Sequence, residues 1–127
     1  RGLGMVRVYL KTPQADKRFE EPMMALLKMH TEMANIRQRI ESTRERMADY
    51  RDRIDELHGQ IVDLEDVKAG GGRLMRHLKQ KMIEISNRLQ KATIQVVELQ
   101  QQLTLAKIRF QDGISELTLE RGVASAK

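Results

Sequence analysis

The chain has 127 residues, a net charge of +5, no cysteine, and a composition that is 32% charged but only 3% aromatic. Disulfides and thiolate metal sites are therefore excluded, and so few rings suit a thin core of aliphatic and methionine side chains better than a broad globular one. No run of about 18 apolar residues occurs, so no membrane span is expected, and the length suits one folding unit. The chain begins at Arg1, as a processed form, a fragment or the ordered part of something longer does, and no targeting peptide is legible. The compartment is left open by the sequence, with a soluble, intracellular protein favoured over the alternatives, and no cofactor is expected.

Residues 1–21 do not follow a helical pattern. Met5-Val6-Arg7-Val8-Tyr9-Leu10 is β-branched and aromatic enough for a short strand, and Thr12-Pro13 ends it. No second strand follows to pair with it. This segment is read either as disordered or as an extended N-terminal piece that adds Val6, Val8 and Leu10 to a partner's sheet edge.

Residues 22–67 are expected to form the first helix. Glu20-Glu21-Pro22 marks its start, because proline fits a first turn and carboxylates there complement the helix dipole. Apolar residues recur at alternating three- and four-residue steps: Leu26, Met29, Met33, Ile36, Ile40, then Met47, Tyr50, Ile54, Leu57, Ile61 and Leu64, with Thr43 the one polar member. Residues 68–73 contain the Gly70-Gly71-Gly72 turn. Residues 74–121 form the second helix, with Met75, Leu78, Met82, Ile85, Leu89, Ala92, Val96, Leu99, Leu103, Ala106, Phe110, Gly113 and Leu117 on its stripe. Gly113 is a weak point, Gly122 ends the helix, and 122–127 are a tail.

A stripe at this 3.5-residue spacing asks for a partner helix along its length, and the chain supplies one itself. The fold class is therefore all-α, a long antiparallel coiled-coil helical hairpin with a short non-helical N-terminal segment. Folding at the glycines puts Leu64 opposite Met75, Met47 opposite Ala92, Met33 opposite Ala106 and Leu26 opposite Gly113. Large residues then oppose small ones in three layers, which keeps the helices evenly spaced.

Three groups of residues remain after the seam is satisfied. The first is apolar: Ile94, Val97, Leu105 and Ile108 keep to the far side of the second helix with Gln101 and Ile83, and Met23, Met24 and Leu27 start the first helix. Most of them fall towards the open end of the hairpin, as a surface for a protein partner or a second copy would. The second is arginine: Arg37, Arg39, Arg44, Arg46, Arg51 and Arg53 flank the seam. They either cover the core with their stems and pair locally, as Arg37 could with Glu41 and Arg53 with Asp49, or await an acidic partner or a phosphate backbone. The third is the basic tip, Lys68, Arg73, Arg76, Lys79 and Lys81 with His77. It is either self-paired against Asp55, Glu56, Asp63, Glu65 and Asp66, or open to an anion or a nucleic acid.

Charge favours internal balance. Residues 22–67 carry seven bases and ten acids, and residues 68–127 carry eleven bases and five acids. A basic chain of this kind need not seek nucleic acid, because one helix answers the other. His30, His58 and His77 have no ligand-spaced partners, and Ser42, Ser86 and Ser115 stand in no nucleophile motif. Neither catalysis nor a metal site is expected. The functional expectation is a structural or adaptor subunit that makes protein–protein contacts in a larger assembly. The alternatives are a nucleic-acid-binding hairpin arm and a hairpin of the chaperone or secretion-stalk type.

Overall fold

The computed structural model describes the backbone of residues 17–67 and 72–126 and the side chains of residues 19–67 and 72–120. It is an all-α helical hairpin of two helices, α1 (Lys17–Glu65) and α2 (Gly72–Ala126), packed against each other. The strand expected at Val6, Val8 and Leu10 lies outside the described residues, as do Lys68 and Gly70-Gly71. Two compact units divide the chain: one joins residues 17–38 to residues 100–126, and the other is Arg39–Leu99.

Every seam residue the spacing predicts, from Leu26 to Leu64 and from Met75 to Leu117, is buried or half-buried. Nearly all other residues of the two helices whose side chains are described are exposed. The heptad stripe therefore selects the packed face, and the aliphatic side chains on it supply the driving force, roughly 1.5–3 kcal/mol for each one fully buried.

In the first unit Phe19, Met23, Leu26 and Leu117 form a buried cluster, backed by Leu27, Met29, Phe110 and Ile114. The cross-helix contacts match the predicted register. Leu26 packs over Gly113 so closely that a Cβ there would lie 2.7 Å from Leu26 Cδ2. One turn along, the rings of His30 and Phe110 meet at 5.9 Å and 56°.

This cluster also moves the helix ends. α1 starts at Lys17, ahead of the start expected at Pro22, and Pro22 lies inside it. A proline inside a helix costs about 3 kcal/mol in a lost hydrogen bond and a ring clash. Burying Phe19 and Met23 returns about as much or more. Phe19 occupies the position one heptad before Leu26, so the stripe extends about two further turns upstream. α2 likewise continues through Gly122 to Ala126, rather than ending before a tail. Leu117 and Ile114 anchor its last turns in the same cluster.

In the second unit Leu57 is fully buried, with Ile40, Met47, Ile61, Ala92, Val96 and Leu99 also in the core. Thr43 is buried among them, 1% exposed. Its hydroxyl donates to the Arg39 carbonyl at 2.7 Å and accepts from Arg46 Nη2 at 3.2 Å. The same guanidinium nitrogen reaches Gln95 Oε1 on α2 at 3.5 Å. The polar interruption of the stripe is thus fully satisfied, which removes the desolvation cost an orphan hydroxyl would carry. α1 closes with a tight hydrogen bond from Val67 N to the Leu64 carbonyl, 3.1 Å.

Candidate interaction surface

The seam uses the a and d positions of both heptads, so apolar residues at b, c and f have no intrachain partner. On α2 these are Ile83, Ile94, Val97, Leu105, Ile108 and Leu119, between 49 and 70% exposed. One side of this face carries Thr93, Thr104 and Thr118, whose hydroxyls donate to the carbonyls of Leu89 (2.8 Å), Gln100 (3.0 Å) and Ile114 (2.9 Å). Their hydrogen-bonding demand is met within α2, so covering them costs little. The other side carries Lys91, Glu98, Arg109 and Glu116, all exposed.

Of the residues the sequence assigned to partner contact, Ile94, Val97, Leu105 and Ile108 are on this exposed face. Met24 is also exposed. Met23 and Leu27 are corrections. Met23 is 3% exposed in the core, and Leu27 is half-buried against it. Both lie off the a and d positions, and they are covered because α1 begins early enough to bring Phe19 alongside Met23, where Leu117 joins them. Leu119 is the most exposed of the set and was not anticipated. Its spacing from Ile108, eleven residues or three helical turns, is the signal that places it on the same face.

The basic tip is less concentrated than its composition implies. Arg73, Arg76, Lys79 and Lys81 are exposed, and Lys68 lies outside the described residues. Arg76 Nε donates to the Gly72 carbonyl at 3.2 Å, and Lys81 pairs with Glu84 at 3.8 Å. Arg53 pairs with Glu56 at 3.0 Å, one turn ahead, not with Asp49. Among the described residues both of these ion pairs run along a helix, and none joins the acidic and basic sides of the tip as the charge count suggested. A surface pair of this kind contributes about 0–1 kcal/mol.

Among the described residues no helix is long and apolar enough to cross a membrane. Among the described residues no three His, Asp or Glu side chains gather as a metal site would require. No family model, curated protein or solved structure matches this chain. The residues themselves therefore carry the functional argument.

Proposed function

We propose that the chain is a structural or adaptor module that binds a protein through the outward face of α2. The observation that carries this reading is the row of half-exposed apolar side chains at Ile94, Val97, Leu105 and Ile108, beside threonines whose hydroxyls are already bonded. Contiguous exposed apolar surface rimmed by polar groups marks an interaction site. The anion-binding alternative has weaker support, because Arg76 and Lys81 are engaged on their own helix and acids are exposed at the same tip.

The test compares two tagged forms in the source cells: wild type, and a variant with Ile94, Val97, Leu105 and Ile108 all changed to Gln. Glutamine keeps helix propensity close to that of the replaced residues, so circular dichroism should show unchanged helicity. A stoichiometric associate, whether foreign or a differently tagged second copy, should be recovered with wild type and lost with the variant. Equal recovery with both forms would overturn the reading.

A further inference from the structure

The exposed face of α2 is a palindrome. Ile94, Val97, Gln101, Leu105 and Ile108 are separated by steps of three, four, four and three residues, symmetric about Gln101. The symmetry continues outward. Gln90 and Asp112 are equidistant from Gln101, as are Asn87 and Ser115, and then Ile83 and Leu119. On a helix of 3.6 residues per turn all of these positions fall within about 40° of one line.

We infer that the occupant of this face is a second copy of the chain, docked antiparallel about a two-fold axis at Gln101. This rests on the reading of the face as a protein-binding surface and names its partner. In that register Val97 meets Leu105 of the other copy, Ile94 meets Ile108, and Ile83 meets Leu119. The polar layers meet polar ones, Gln90 with Asp112 and Asn87 with Ser115. Every layer matches apolar to apolar or polar to polar, as a two-fold interface between identical surfaces requires. Gln101 meets itself, and a side-chain amide carries both donor and acceptor, so two of them bond reciprocally. Between Ile94 and Ile108, Gln101 is the one polar residue on this line, and a polar residue at the centre of an apolar stretch also fixes its register.

Charge agrees with this pairing. An antiparallel two-fold places like edges side by side. One edge holds Thr93, Gln100, Thr104 and Gln111, with no charge. On the other edge Lys91 and Glu98 of one copy lie beside Arg109 and Glu116 of the other copy. Two bases are bracketed by two acids, so these four charges cancel; Glu84 and Glu120, at the wider angle that Gln100 also occupies, lie beyond Glu116 towards the ends of the interface. The area suffices as well. From Ile83 to Leu119, at ~1.5 Å per residue and a helix width of ~10 Å, each copy presents roughly 540 Å² in plan. Two copies together exceed the roughly 1,000 Å² that a specific interface needs.

The chain has no cysteine, so single cysteines report contacts cleanly. The experiment is light scattering after size exclusion on the purified full chain, followed by mild oxidation of Gln101→Cys, Ile94→Cys and an equal mixture of Ile94→Cys with Ile108→Cys. The expected result is a dimer by mass, with covalent dimer from Gln101→Cys and from the mixture. Ile94→Cys alone should not cross-link, because its two copies would be roughly 21 Å apart along the axis, beyond disulfide reach. A dimer that closes through Ile94→Cys alone, or that leaves Gln101→Cys uncrosslinked, would overturn this pairing, including in favour of exchanged helices. A monomer at 100 µM would overturn the second copy as occupant. It would leave the protein-binding reading standing, to be decided by the four-fold glutamine variant.

Discussion

Gly113 and Gly59 are both helical glycines, but only at Gly59 should replacement by alanine stabilise the chain. In an open helix, Gly→Ala gains about 1 kcal/mol by restricting the unfolded backbone and improving helix propensity. Nothing lies within 4 Å of a Cβ at Gly59, so Gly59→Ala should realise that gain in full. At Gly113 the added carbon would stand 2.7 Å from Leu26 Cδ2 and 3.8 Å from Cγ, about 1 Å inside ordinary contact. The end of a leucine can swing aside on an open surface, but Leu26 is 3% exposed and held by Phe19, Met23 and Leu117. Overpacking of that kind costs about 1–3 kcal/mol, so Gly113→Ala should be neutral to about 2 kcal/mol destabilising. The assay is urea unfolding followed by far-ultraviolet circular dichroism, with slopes compared so that midpoints report stability. A double-mutant cycle isolates the contact. On a Leu26→Ala background, itself about 2–5 kcal/mol less stable, Gly113→Ala should recover its gain of about 1 kcal/mol. If Gly113→Ala alone stabilises as much as Gly59→Ala, the close approach of Leu26 is not a constraint and the reasoning fails.

Pro22→Ala should stabilise the chain by about 1–3 kcal/mol, since it restores a donor and removes a ring clash inside α1. A thermal melt with no rise in Tm would show that α1 does not continue through that position. Thr43→Val should change stability by less than about 1 kcal/mol, because it deletes a satisfied hydroxyl, buries a methyl and leaves the exposed Arg46 side chain to Gln95 and water. A loss above about 2 kcal/mol in denaturant unfolding would mean that the Arg46–Thr43 bond is a principal support of the seam.

The seam was legible because a single rule governs it. A 3.5-residue period leaves few alternatives over so many turns, and the glycines set where the chain folds back. The α1 start was less legible, since Pro22 is a strong local stop signal, while the gain from Phe19 arises only once Leu117 is beside it. Met23 and Leu27 were placed on the surface for the same reason: they sit at e and b positions, and three-body packing with Phe19 is not written in the period. Arg53 has acids at both Asp49 and Glu56, each within helical reach, so spacing alone cannot choose between them. The palindrome about Gln101 was present in the letters throughout. It became visible when the structure showed which apolar residues the seam leaves uncovered, Leu119 among them.

The methionines among the described residues are sorted by the fold into protected and vulnerable groups. Met23, Met33 and Met47 are no more than 8% exposed, whereas Met24, next to Met23 in sequence, is 56% exposed. Peroxide should therefore convert Met24 to its sulfoxide ahead of Met23, Met33 and Met47, on a surface where an added oxygen costs little. A sulfoxide at Met33 or Met47 would instead put a strong dipole into a core only one side chain deep, with no spare donor to meet it. Thioether chemistry thus becomes a clock for separation of the two helices, since the inner sulfurs react only while the seam is parted.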